Sequence, residues 1–289
     1  MMHSRAFFPM AVAAAAVATF SGLSGPVLAQ EEDVEAVVSY SLLADLSVEL
    51  RARYMRGNVD GYLQTPSGGQ PGTSDFQRPT FGEIGYHNED VWDASVVVQS
   101  HEHLFNFGAR LIRMEGDARL TQDLICENII YPAGTEVDSS ILLDWFRLGY
   151  RYEFAIESEG NGSRFAIAPG AEAVLFNFDF DMTAPGNLRS DRNYSKGGLR
   201  IGATLDWQIS GPFSIQAAGW WPVPMDNTAR IMSVEVVGRY EFWGGRRMGS
   251  AFYLGVAYDE IQYEDQQTLP NDVRVEMGPM IIAGFDFRF

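Results

Sequence analysis

Apolar residues recur at every second position over stretches of a dozen residues or more along most of the chain, and this period-two pattern is the tightest constraint on the fold. At the C-terminal end one set holds Val275, Met277, Pro279, Ile281, Ala283, Phe285, Phe287 and Phe289, and the other holds Arg274, Glu276, Gly278, Met280, Ile282, Gly284, Asp286 and Arg288. The pattern predicts a strand with one apolar face and one face that mixes glycine with both charge signs. Chain ends usually fray and are polar, so an ending in GPMIIAGFDFRF is expected to be part of the structure. The same alternation runs through Tyr40 to Arg56, Gly197 to Ile209, Ile231 to Phe242 and Gly249 to Tyr263. Less regular strands are expected over Trp92 to Ser100, Leu104 to Met114, Asp138 to Phe154, Arg164 to Asp181 and Phe213 to Trp221, with a change of phase near Leu175 to Phe180 that suggests a bulge or a strand end. The sequence predicts no helix after the N-terminal apolar run.

Connection lengths count the strands. Read backwards, Glu264 to Asn271 is long, Trp243 to Met248 short, Pro222 to Arg230 long, Ser210 to Pro212 short, Met182 to Lys196 long, Ala155 to Ser163 short to medium, and Glu115 to Val137 long. Strict alternation then requires a tight turn, which His101-Glu102-His103 supplies, before the longest connection, Gly57 to Val91. The expected fold is all-β: an antiparallel up-and-down barrel of ten strands, with eight as the alternative count, and its long loops at one end.

The N-terminus adds a destination. A basic start (Met1 to Arg5), an apolar run (Ala6 to Phe20) and Val27-Leu28-Ala29 before an acidic stretch read as a secretory signal peptide cut after Ala29. Residues 30–37 are then a short periplasmic segment and 38–289 one barrel domain. The single cysteine, Cys126, excludes an intramolecular disulfide framework. A net charge of −17, with Lys196 the only lysine, excludes nucleic acid as a partner.

With these features together, the chain resembles the integral outer-membrane β-barrel proteins of Gram-negative bacteria: even strand number, short periplasmic turns, long external loops, and apolar-out, polar-in strands. The resemblance spans nearly the whole mature chain as pattern and only the last strand as a specific motif. It implies lipid-facing Phe285, Phe287 and Phe289 acting as the signal for the barrel assembly machinery, and outer-membrane lipids and lipopolysaccharide as partners. It implies no cofactor.

The expected inward face is crowded with charge: Glu49, Arg51, Arg53, Arg110, Arg147, Arg151, Glu153, Glu172, Arg200, Asp206, Glu235, Arg239, Glu241, Glu276, Asp286 and Arg288. Interleaved arginines and carboxylates predict a salt-bridged lumen that is largely plugged; a narrow charge-lined pore for small solutes is the alternative. Catalysis is not expected. Asp179 and Asp181 lack a nearby Asp-x-His, His87 stands among solvated acids, and His101 and His103 belong to a turn. The loops 57–91 and 115–137 are acidic, carrying Asp60, Asp75, Glu83, Glu89, Asp90, Glu115, Asp117, Asp123, Glu127 and Glu136 against Arg78 and Arg119. Divalent cations that bridge such carboxylates to lipopolysaccharide phosphates are one use for them; a solvated surface is the other. The stretch TPSGGQPGTSD, residues 65–75, has a mobile composition.

Overall fold

A computed structural model describes residues 46–66, 77–157, 163–244 and 248–289. The signal peptide, the 30–37 segment, the start of the first expected strand and most of the 65–75 stretch lie outside these residues.

Thirteen strands follow in order: β1 (Leu46–Gln64), β2 (Asn88–Ser100), β3 (His103–Arg119), β4 (Leu124–Cys126), β5 (Ile129–Tyr131), β6 (Glu136–Tyr152), β7 (Phe154–Glu157), β8 (Arg164–Ala184), β9 (Leu188–Ser210), β10 (Phe213–Pro222), β11 (Arg230–Gly244), β12 (Gly249–Glu264) and β13 (Asp272–Arg288). Ten of them form a ring in the order β1, β2, β3, β6, β8, β9, β10, β11, β12, β13. Every neighbour pair is antiparallel, and β1 pairs with β13 to close the ring. At this seam Val48 and Phe289 exchange backbone hydrogen bonds of 3.2 and 2.9 Å, so the last residue takes part in closure. β7 continues β6 beyond a break at Glu153 and pairs with the start of β8. β4 and β5 form a separate hairpin within the connection from β3 to β6.

The strands change character partway up, and the reason is what surrounds them. On the lower part of β8, nearer the short turns, Phe165, Ile167 and Leu175 face out while Ala166, Ala168 and Glu172 face in. Higher up, Asn177, Asp179 and Asp181 take the outer face and Phe176, Phe178, Phe180 and Met182 fill the interior. No register shift accompanies this exchange, so the phase change expected near Leu175 to Phe180 is absent. Both faces swap chemistry at one level, which imitates a slip in alternation.

β13 reaches the same result by the opposite device. Met277 and Met280 lie opposite Val59 and Gly57 on β1, and opposite Asp259 and Ala257 on β12, so β13 holds one residue more than either neighbour between these pairs. The extra residue is a β-bulge at Gly278-Pro279, where Gly278 has φ 143° and Pro279 has no N–H to offer a ladder. Alternation inverts there. Below it Ile281, Phe285 and Phe287 face out, as expected; above it Val273, Val275 and Met277 are buried and Arg274 and Glu276 face out. The face expected to be apolar throughout is apolar throughout, but it turns from the outside of the barrel to the inside. Glu276 is therefore on the outer wall, and its assignment to the lumen is corrected: it pairs with Arg274 at 2.7 Å.

The apolar outer belt runs from Pro279 on β13 to Phe289, one residue past its end, ten steps, or roughly 23 Å for a strand rising ~3.3 Å per residue at ~45° tilt. Its upper edge carries ion pairs on the outer wall, Arg56–Asp90 at 3.4 Å and Arg113–Asp144 at 2.7 Å. Aromatic rings gather near the short turns: Phe105 on Tyr150 at 5.2 Å, Phe213 on Tyr240 at 4.9 Å, Phe252 on Phe285 at 5.3 Å.

One expected connection is different. Instead of a long loop over Met182 to Lys196, β8 and β9 run on to a three-residue turn, 185–187, in which Gly186 and Asn187 both have positive φ. The hairpin rises well above the belt.

Candidate functional site

The lumen has two tiers. The lower tier, level with the apolar belt, is ionic. Its hub is Asp93 on β2, fully buried, which accepts hydrogen bonds from three arginines: Arg53 Nε and Nη2 at 3.0 and 2.8 Å, Arg110 Nε at 2.9 Å, and Arg147 Nη1 and Nη2 at 2.7 and 2.9 Å. Arg53 also grips both oxygens of Glu235 at 2.8 and 2.9 Å, and Arg110 donates to Asp259 on β12. A second cluster joins Glu172 to Arg200 at 2.7 Å and to Asn106 at 2.8 Å, with Arg200 also donating to Ser233 at 2.9 Å. A third, nearer the short turns, joins Arg239 to Asp286 at 2.8 and 3.1 Å and, more loosely, to Glu241, which Arg288 approaches at 3.6 Å. Glu49 pairs with Arg51, Glu153 with Arg164, and Asp206 accepts from Gln216 at 2.5 Å. Arg151 is buried, and among the described residues its one hydrogen bond goes to Thr204 Oγ1 at 3.1 Å.

Asp93 and Asp259, the two most deeply buried acids of the hub, are missing from the expected network. Asp259 does share the polar face expected for Gly249 to Tyr263. Asp93 shares a face with Ser95, Val97 and Gln99 within VWDASVVVQ, where one acid among small and apolar residues gives little signal.

The upper tier is apolar and capped. Met55, Leu63, Ile112, Met114, Ile141, Leu143, Trp145 and the three phenylalanines of β8 form a continuous buried core with Val273, Val275 and Met277. Residues 79–87 lie across the mouth: Leu63 N and Phe81 N bond to Pro79 O and Gly61 O at 3.0 Å each, and Ser139 Oγ on β6 donates to Ile84 O at 3.2 Å. Phe81, Ile84 and Tyr86 are wholly buried in that core. Space for the segment is made by Gly116, whose missing Cβ would stand 2.3 Å from Ile84 O.

The β4–β5 hairpin completes the cap. Ile125 N bonds to Gln77 O at 2.8 Å and Glu127 N to Thr65 O at 3.0 Å, just past the end of β1. On its other side Ser190 of β9 donates to Cys126 O at 3.1 Å and meets Tyr131 Oη at 2.8 Å. β1 and β9 are five places apart in a ring of ten, so the hairpin spans the mouth from one wall to the opposite one. Burial under this lid pushes the Cys126 thiol up to about 11 and the Tyr131 hydroxyl up to about 12.

Two spaces stand out, one small and one external. A cavity of about 60 Å³ lies within the ionic tier between Arg51, Arg110, Arg151, Arg200, Glu172 and Glu235. A groove of about 460 Å³ on the long-loop side is lined by Tyr62, Asn227, Tyr263, Asp265, Asp272 and Arg274, among others. Its rim is braced by Tyr263 Oη on Asn227 at 2.9 Å and by Asp265, which accepts from Asn271 N at 3.0 Å and Asn271 Nδ2 at 2.6 Å.

Several loop acids serve the structure. Glu83 accepts from Thr80 Oγ1 at 2.7 Å, Asp123 from Ala133 N at 2.7 Å, and Glu127 from Asp191 N at 3.0 Å. Others are free to face water, notably Asp117 and Asp138, which stand directly opposite each other on β3 and β6 and are both exposed. Like charges in that position repel. Among the described residues no three His, Cys, Asp or Glu side chains come together as a metal-ligand set. The side chains of Asp179 and Asp181 lie on the outer wall, Asp181 on Arg189 at 2.6 Å, with Phe180 pointing inward between them. His87 is exposed, His101 takes the positive φ of a turn, and His103 Nδ1 meets Tyr150 Oη at 2.8 Å.

A closed antiparallel ring with an apolar exterior, a charged lumen at the same level and tall structure at one end decides the architecture. The chain is a ten-stranded barrel of the outer-membrane type. No protein-family model and no curated protein matches it. Among solved structures it is similar to the attachment invasion locus protein Ail of Yersinia pestis (12% identity, 85% of this chain and 99% of that one, TM-score 0.32) and to Neisserial surface protein A (10%, 84% and 96%, TM-score 0.29). It is also similar to the transport unit of the autotransporter AIDA-I from Escherichia coli (10%, 98% and 99%, TM-score 0.35). At such identities and TM-scores the role of this barrel rests on its own residues.

Proposed function

We propose that this chain is an outer-membrane barrel that acts through its long-loop face, with the lumen serving as a rigid plug and not as a conduit. The observation that carries this is the double occlusion: a hairpin pinned to opposite walls over an apolar core, and beneath it an ionic layer in which nearly every charge is paired. A solute path through the barrel would have to break both. The belt height and the aromatic rings near the short turns suit a bilayer entered from the periplasmic side, which agrees with a secretory signal peptide cut after Ala29 and with use of the terminal Phe285, Phe287 and Phe289 by the assembly machinery. Exposed acids above the belt, Asp117 and Asp138 first among them, would hold divalent cations jointly with the phosphates of lipopolysaccharide, which relieves the repulsion between the facing carboxylates.

Planar-bilayer recording of the purified barrel tests the plug. The expected result is heat-modifiable gel mobility without discrete current steps. Discrete steps in the unaltered protein would refute it and favour a narrow channel. For the loop face, binding to lipopolysaccharide vesicles should require Mg²⁺ or Ca²⁺ and weaken in Asp117→Asn/Asp138→Asn.

A further inference from the structure

One arginine of the ionic tier stands without a carboxylate partner among the described residues. Arg51, Arg53, Arg110, Arg147, Arg151 and Arg200 line the central cavity. Five of these six meet a carboxylate of the tier, Glu49, Asp93, Glu172, Glu235 or Asp259. The odd one is identifiable. Arg151 is 6% exposed, has no carboxylate within ion-pair distance among the described residues, and leaves its Nε without any acceptor. Glu172, which lines the cavity with it, is already held by Arg200 and Asn106. A buried, uncompensated guanidinium is costly, and a guanidinium fork is shaped for the oxygens of a carboxylate or phosphate.

The space in front of it fits that role. The cavity measures about 60 Å³, against roughly 30 Å³ for a water in the liquid. Its upper side is shut by the apolar core, while Arg51 and Glu49 on the lower side keep 22% and 19% exposure, so entry is from the short-turn end. We propose that this cavity is a binding site for one small inorganic oxyanion, of the phosphate or sulfate class, held by Arg151 and completed by its arginine neighbours. The anion gives a partner to the one guanidinium of the cavity that no carboxylate holds. This site is independent of what the loops contact.

Thermal unfolding of the detergent-purified protein, titrated with inorganic phosphate at constant ionic strength made up with chloride, tests the proposal. The unaltered protein should gain stability saturably, with about one site per barrel by calorimetry. Arg151→Met leaves no carboxylate orphaned; it should keep heat-modifiable mobility and bind phosphate about tenfold or more weakly, as expected for loss of a charge-assisted hydrogen bond. Arg113→Gln, on the outer wall, should bind as the unaltered protein does. Should Arg151→Met fail to fold, Thr204→Val, which removes the hydrogen bond that aims the guanidinium, must weaken binding instead. No saturable response in the unaltered protein, or the same response in Arg151→Met, overturns the proposal and leaves a cavity filled by water only.

Discussion

Asp93→Asn should be the most damaging isosteric change in the barrel. The carboxylate accepts five hydrogen bonds from three guanidinium groups at 2.7 to 3.0 Å. An amide of the same shape keeps one acceptor and puts a donor where the other oxygen was, facing Arg110 Nε and Arg147 Nη1. Arg53 retains Glu235 and Arg110 retains Asp259, but Arg147 loses its only carboxylate among the described residues. Removal of one partner from a buried pair costs about 3–5 kcal/mol. The outer-wall pair Arg113–Asp144, whose side chains are 49% and 23% exposed, supplies the contrast, since an exposed pair is worth about 0–1 kcal/mol. Denaturant unfolding of the barrel refolded in lipid, followed by tryptophan fluorescence and gel mobility, should therefore show a large drop for Asp93→Asn and almost none for Asp144→Asn. A second change makes the test specific: Arg147→Met in the Asp93→Asn background should recover part of the loss, because it removes the charge left without a partner. If Asp93→Asn costs no more than Asp144→Asn, the lumen is hydrated well enough to screen its charges and the plug argument fails. A new conductance at unchanged stability would refute it too.

Three further outcomes are expected. Gly116→Val should expel the segment 79–87, since even a Cβ there would stand 2.3 Å from Ile84 O; limited proteolysis should then cut after Phe81 or Tyr86 while the barrel keeps its heat-modifiable mobility. Cys126 should resist alkylation across pH 7 to about 9 in the folded protein: burial raises the thiol to about 11, so the reactive thiolate is scarce and also inaccessible. Rapid labelling of the folded protein would mean that the hairpin does not cap the mouth. Deletion of Phe289 removes both backbone hydrogen bonds to Val48 at the seam, about 1–3 kcal/mol at ~0.5–1.5 each, and should lower the yield of correctly folded barrel; a yield equal to that of the full chain would show that closure does not depend on it.

The strand number and the closure between the two ends of the chain could be read from alternation and loop length, because both report on the backbone path alone. What could not be read is where each face points, because alternation has meaning only relative to a surrounding solvent, and that solvent changes partway along each strand. On β13 the face from Val275 to Phe289 is truly apolar, yet only an extra residue at Gly278-Pro279 keeps it away from unfavourable surroundings on both sides of the belt edge. On β8 no residue is added, and the exchange from Val174 and Leu175 to Phe176 and Asn177 looks like a slip that never happens. The inward arginines at 53, 110 and 147 are visible as charges on a polar face, but their convergence on Asp93 joins β1, β3 and β6 through β2, and no local pattern carries that. The lid left a clearer trace. Leu124, Ile125, Ile129, Ile130 and Tyr131 in one acidic loop, and Phe81 and Ile84 in the other, are more apolar than a solvated loop needs. Two barrels are in effect stacked on one set of strands: an inside-out one matched to lipid and a conventional one matched to water. The lower needs ion pairs within, the upper needs a hydrophobic core, and the level where they meet is marked on the outer wall by Arg56–Asp90 and Arg113–Asp144. The upper barrel, as an ordinary water-facing domain, cannot leave its mouth open without exposing that core. The plug above the belt is thus a consequence of strands that outgrow the membrane.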